Sequence, residues 1–297
     1  MFTKVADGDA VGWPAVAAGL LVAGISLLIG SKRGDVRVDV AMASMAAFLF
    51  GVLLAFTIVR TRERLALVQD LVAKDNSSLF SINQAVSVFG PEDARRIGDL
   101  VDEHLTDQID YRLVDYHRAM PTFLRLTDAV YALEPTDAQE EAVYKELVVL
   151  CMETTADRAH IEAATGQALS AIEWSGLLLL LFILLGLFAV LPGGTIPGAV
   201  VAGVMAGTMV TFMVLLRKLD RLRWHERATI WEPTARLFRS MGRDPYVPRD
   251  VIESGRFRPS GVVRVVEYPD PYPDRSSKIV KVVDLDAPDL QQPAVTS

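Results

Sequence analysis

The feature that most limits what this chain can become is the uncharged apolar run 41–59, which ends in Arg60, Arg62 and Arg64 and continues into charged sequence of helical pattern. As a helix it is long enough to cross a ~30 Å hydrocarbon core. Within it Ala43, Ala47, Gly51 and Ala55 recur every four residues, a row of small side chains that lets a second helix approach closely in lipid. One position round the helix, Phe48, Val52 and Phe56 form a parallel row of larger apolar groups. That second row faces lipid, protein or a pore, and the residues alone leave the three open.

Half of the 297 residues are hydrophobic, too many for a soluble chain of this charge content unless they are segregated. They are, in blocks 11–30, 40–59, 174–191 and 196–216, each of membrane-spanning length. The first block reads as an uncleaved anchor and not a signal sequence. Asp7 and Asp9 offset Lys4, and the apolar run exceeds the usual length of a signal core. It carries Ala15, Gly19 and Ala23 at four-residue spacing, with Trp13 as an interfacial aromatic. The last block repeats the pattern in Ala199, Gly203, Gly207 and Thr211, so Gly203 and Gly207 join the helix-packing candidates.

Basic residues at the span ends fix an expected topology. Lys4, Arg60, Arg62, Arg64, Arg217, Lys218, Arg221, Arg223 and Arg227 fall on one side, against Lys32, Arg33 and Arg37 on the other. The positive-inside rule places both termini and the middle segment in the cytoplasm of a multi-pass plasma-membrane protein. The basic run after the last span, with Trp224 and Trp231, reads as an interfacial anchor in preference to a specific anionic-lipid site, which usually needs a denser cluster.

Between the spans, Leu65, Val68, Val72, Leu79, Ile82, Val86 and Phe89 follow a heptad seam interrupted only by Asp75. Joined to the second span it predicts one helix of about 50 residues, stopped by Gly90-Pro91. A second helix starts at Pro91 with a stripe of Ile97, Val101, Leu105, Ile109 and Leu113, and is ended by Met120-Pro121. A short helix, 122–133, follows. Thr136 and Gln139 then suggest a capping box for a helix running straight into the third span through Leu169 and Ile172. Near the C-terminus, 261–268 and 278–285 alternate around PDPYPDRSS and read as a β-hairpin.

The expected fold is an all-α membrane protein: four transmembrane helices continuous with a cytoplasmic helical bundle, plus a small C-terminal β-hairpin. Its segments are a transmembrane hairpin 1–60, the bundle 61–170, a second transmembrane hairpin 171–216, a basic juxtamembrane helix and linker 217–260, the β-hairpin 261–285 and a disordered tail 286–297.

The chemistry is sparse. No nucleophile and base stand at recognisable spacing, so an enzyme is not expected. The single Cys151 allows no disulfide within a chain and no thiolate metal site, and it reads as a buried thiol. Asp157 with His160 is the nearest approach to a metal pair, and no second pair completes it. Asp284, Asp286 and Asp289 lack the glycine and closing glutamate of a calcium loop. No cofactor and no metal are expected. Nucleic acid is not an expected partner, because no segment is strongly basic: even after Leu216, fifteen Lys/Arg stand against twelve Asp/Glu. Ionisable residues lie only at span ends, in Asp39 and Glu173, which disfavours a proton relay.

The segments LLAFTIVRTRERLALVQDLVAKDNSSL (53–79) and DRAHIEAATGQALSAIEWSGLLLLLF (157–182), in their four-span layout, resemble the bestrophin-like domain family of prokaryotic membrane proteins. The family's own activity is largely unassigned. Its name implies kinship to bestrophins, pentameric anion channels whose pore is lined by the second span. The resemblance implies that Phe48, Val52 and Phe56 form an apolar neck, with Arg60, Arg62 and Arg64 attracting anions at its cytosolic mouth. It also implies a homo-oligomer, a pentamer if the likeness extends that far, with the lipid bilayer and an anion as its other partners. Calcium-responsive bestrophins carry an acidic clasp after the fourth span, where this chain is basic, which argues against calcium control. The competing expectation is a non-conducting membrane scaffold or sensor adaptor that binds a partner through its cytoplasmic bundle and hairpin.

Overall fold

A computed structural model describes residues 12–30, 40–190, 195–221 and 230–286. The chain divides into two compact units. Unit 1 takes residues up to Leu65 and from Ala168 to Trp224, and unit 2 takes Ala66–Gln167 and everything from His225.

Unit 1 is helical. It contains α1 (Gly12–Gly30), the first part of α2 (Val40–Ala85), α6 (Ala171–Val190) and α7 (Ile196–Asp220). Three helices of the chain are long and apolar enough to cross a membrane: the one holding α2, the one ending at Val190, and α7. The fourth apolar helix, Pro14–Leu28, falls short of that length among the described residues. Its packing is nonetheless the tightest in the unit. A Cβ built on Gly19 would meet the Gly203 carbonyl oxygen at 2.7 Å, and one on Gly207 would meet that of Ala15 at 3.1 Å. Small residues therefore bring two backbones into contact. Phe50 and Leu54 of α2, Leu177, Leu181, Leu184 and Phe188 of α6, and Ala202, Ala206, Met213 and Leu216 of α7 fill the core, with Val22 of α1.

The helix expected to run unbroken into the third apolar stretch is interrupted. α5 (Ala138–Gly166) ends at Gly166, residues 167–170 are non-helical, and α6 starts afresh. The break has a local cause. Ser170 and Glu173 form a reciprocal capping box: the Glu173 carboxylate accepts from the Ser170 N–H at 2.8 Å, and the Glu173 N–H donates to the Ser170 Oγ at 3.2 Å. At the start of α5 the cap is Asp137, one residue later than expected. It accepts from the N–H groups of Gln139 and Glu140, while the Glu140 carboxylate reaches back to Thr136.

Unit 2 joins the second part of α2, α3 (Pro91–Asp110), α4 (Met120–Tyr131) and α5 to a small mixed sheet. α3 ends at Asp110, earlier than the sequence suggests, and a 3-10 segment, Leu113–Ala119, carries the chain to α4. Leu65, Val68, Val72, Leu79, Ile82 and Val86 are all buried. From Leu79 onward the seam packs into a core with Ile97, Val101 and Leu105 of α3, Phe123 and Leu126 of α4 and Leu147 of α5.

Asp75 is the reason the seam is interrupted. Its side chain is 0% exposed, and its Oδ2 accepts from Arg158 at 2.7 Å and from the Tyr116 hydroxyl at 2.8 Å.

The C-terminal part adds α8 (Glu232–Ser240), α9 (Arg249–Glu253) and three strands, β1 (Tyr246–Pro248), β2 (Val262–Glu267) and β3 (Ile279–Asp284). β2 and β3 pair antiparallel, Val263 opposite Val283, while β1 pairs parallel to β2, Tyr246 opposite Arg264. The sheet is thus three-stranded, one strand more than the expected hairpin. Trp231, expected at the membrane surface, is buried in this unit's core. Arg264 grips Asp102 of α3 bidentately at 2.7 and 2.8 Å, and Asp110 gathers the hydroxyls of Tyr246 and Tyr268 and the ammonium of Lys278.

Candidate functional site

The second apolar helix presents two faces within unit 1. Phe50 and Leu54 face inward, and Ala46, Ala47 and Ile58 pack beside them. On the other side Phe48 is 70% and Phe56 is 72% exposed, with Met45, Leu53 and Val59 also exposed and Val52 half-buried. The large row therefore lies on a face of α2 that is uncovered among the described residues. The small row is not what α2 buries here: Gly51 and Ala55 are exposed, nothing lies within 4 Å of a Cβ placed on Gly51, and Ala47 is half-buried. The side chain of Ala43 lies outside the described residues. Close helix approach falls instead to Gly203 and Gly207, against α1.

The three arginines that follow have different fates. Arg60 donates to the Glu173 carboxylate at 2.6 Å, with Arg60 exposed and Glu173 half-buried. Arg64 is buried. It donates to the Asp220 main-chain oxygen at 3.1 Å and lies 3.5 Å from the Asp220 carboxylate. Arg62 is exposed and forms no ion pair among the described residues.

Two acids thus set the electrostatics at the end of the apolar helices. Glu173 is held by its own capping box and takes Arg60 as a second partner. Asp220 closes α7 and accepts from Arg64, from the Leu169 N–H at 2.9 Å and from the Trp174 indole N–H at 3.3 Å. That many donors hold the side chain in place. The sequence carried signals for both that went unused. Ser170-x-x-Glu173 directly before an apolar run is a helix-start signature. Asp220 is an acid set between Lys218 and Arg221 at the start of a basic run, where a counter-ion can be held.

The site can exclude water along an apolar face, and of the three arginines that follow it Arg62 alone forms no ion pair among the described residues. Among its described side chains it holds no nucleophile beside a base. Asp157 is drawn to Lys74 at 2.9 Å, and His160 is exposed. An open cleft of about 630 Å³ lies wholly in unit 2, lined by Asp107, Tyr111, Arg118, Tyr272 and Arg275 among others. Burial raises the pKa of the Asp107 carboxyl there, although the Thr122 hydroxyl donates to it.

Comparison with known proteins bears on the whole arrangement. The family model of the bestrophin-like domain matches residues 12–222. Two crystal structures of a membrane protein, each in an alanine-substituted form, superpose with TM-scores of 0.64 and 0.63. They share 12% and 13% identity, cover 77% and 76% of this chain, and are themselves covered to 99% and 98%. At that identity the likeness speaks for the fold. No curated protein sequence matches. With more than two thirds of its length matched, this chain belongs to the bestrophin-like domain family.

Proposed function

We propose that this membrane protein is a homo-oligomeric, passive anion channel whose neck is formed by Phe48, Val52 and Phe56 contributed by several copies. The observation that carries the reading is the exposure of Phe48 and Phe56 on a face that no other described helix of the protomer covers. An apolar constriction conducts or dewets according to its width. In this reading Arg62 is the cation available to an anion at the mouth, because Arg60 and Arg64 are held by Glu173 and Asp220. α1 completes the transmembrane set as a fourth span through its close contact with α7. Both termini and unit 2 lie in the cytoplasm, on the side where the basic residues gather.

The test is anion flux into liposomes. Replacing Phe48 and Phe56 together by alanine widens the neck and raises chloride flux several-fold, while Arg62→Gln lowers it. Unchanged flux in both variants, across an oligomer verified by cross-linking, overturns the channel reading. A second reading, a scaffold that binds a partner through unit 2, is favoured by one feature. β3 lies at the sheet edge with Ile279, Val280 and Val282 exposed, and such an edge can accept an added strand. It predicts silent bilayers at high protein density and loss of partner recovery when 261–297 is removed.

A further inference from the structure

α5 buries one face in unit 2 and exposes another that is no more polar. Leu147, Cys151, Thr154, Arg158, Ile161 and Thr165 are buried. On the opposite side of the helix Ala142, Val149, Met152, Ala156, Ala159 and Ala163 are all exposed, Val149 by 54% and Met152 by 62%. With Lys145 and Gly166 these positions follow alternating steps of three and four residues, the spacing of a heptad seam. The seam runs for about 36 Å at 1.5 Å per residue.

A bundle helix that faces water carries polar and charged residues on its outer side, whereas a helix apolar on both sides is covered on both. From Val149 to Gly166 every seam position is uncharged, and Glu153, His160 and Glu162 stand on the flanks. Alanine at 156, 159 and 163 leaves room for the side chains of an apposed helix, because the distance between packed helices follows the residues at the contact.

Lys145 is the one charged residue of the seam, and it selects the partner. Within the chain it donates to the Glu141 carboxylate at 2.7 Å, an exposed pair. Glu146 follows it on the flank of the seam. Where two α5 helices meet parallel and in register, Lys145 of each comes beside Glu146 of the other, so the contact gains two ion pairs as well as its apolar side chains. A helix of another protein would have to repeat the spacing and carry an acid at the height of Lys145. A second copy does both by symmetry, and copies inserted in one bilayer share one orientation with respect to it.

We propose that this face of α5 packs against the same face of α5 from a second copy, the helices parallel and in register about the symmetry axis of the oligomer. The proposal rests on the homo-oligomeric part of the channel reading and not on conduction.

The experiment is disulfide cross-linking of the full chain in liposomes, in a Cys151→Ala background that removes the buried native thiol. V149C and A163C each oxidise to a covalent dimer, which both do only if the helices are parallel and in register. L124C, on the exposed side of α4, does not. Adding A156E and A159E, at positions exposed in the protomer, abolishes both dimers while helical circular dichroism is unchanged. If that variant fails to fold, the cysteine pattern alone decides. An oligomer seen by light scattering in which V149C or A163C stays uncross-linked overturns the proposal and leaves the homo-oligomer standing. Equal cross-linking at Leu124 reports random collision and overturns it too, and a monomer throughout overturns both readings.

Discussion

Asp75 shows how much one residue decides. In the heptad seam of α2 it stands where an apolar side chain is expected, and it is buried with Arg158, itself 2% exposed, whose guanidinium also lies 4.1 Å from the centre of the Phe123 ring. The Asp75 Oδ1 and the Arg158 Nε have no protein partner, so the pair is not fully satisfied. A buried pair of this kind stabilises little compared with an apolar replacement, yet removing one partner strands the other charge. Asp75→Ala is therefore expected to destabilise unit 2 by about 3–5 kcal/mol. The double variant Asp75→Leu/Arg158→Met should recover most of that loss, measured as thermal unfolding in detergent. Equal destabilisation by the single and double variants would show that packing around these positions matters more than their charge. The sequence flagged Asp75 as an interruption but could not supply Arg158, 83 residues away.

At the scale of elements, small residues matter only where a partner helix arrives. α1 and α7 use their rows: a Cβ on Gly203 would meet the Gly19 carbonyl oxygen at 2.9 Å and the Ala23 Cβ at 3.2 Å. The identical four-residue repeat in α2 meets nothing at Gly51 among the described residues. Periodicity reveals that a close approach is permitted, and it does not reveal which of three permissive helices makes one. Gly19→Ala is expected to push the two helices apart at a cost of about 1–3 kcal/mol. Gly24→Ala, with nothing within 4 Å of its Cβ, should be neutral or slightly stabilising, as helix propensity favours alanine. Thermal unfolding in detergent compares them, and equal effects at both positions would remove the contact argument. The break before α6 was open to reading for a different reason. Ser170 and Glu173 are three residues apart, and a cap is a local interaction that sequence spacing encodes directly.

Across the whole molecule, what was legible was what is local or compositional: the apolar helices, the stop at Gly90-Pro91, the alternation of β2 and β3, and the family likeness. What stayed hidden depends on residues distant in sequence. β1 is three residues long, too short to show alternation, and its parallel pairing with β2 is fixed by tertiary contact. Trp231 follows a basic run and so resembles an interfacial anchor, yet it is buried in the same core as Leu237 and Phe238. The division into two cores also gives the molecule an expected response to acid that neither composition nor net charge of −7 announces. His104 of α3 is completely buried in unit 2, with Nδ1 2.8 Å from the Thr122 hydroxyl, the Phe123 ring beside it, and Nε2 without a protein partner. Burial, and then repulsion from Arg158, hold its pKa well below the ordinary 6.5. The unfolded chain therefore binds more protons than the fold at mildly acid pH, so the stability that rests on neutral His104 is intact above about pH 6.5 and is lost as pH falls below it. Unfolding temperature in detergent should drop between about pH 7.5 and pH 5.5, and His104→Gln should shrink that drop because it removes the group that must be charged. An identical drop in the variant would place the acid sensitivity elsewhere and leave His104 as packing alone.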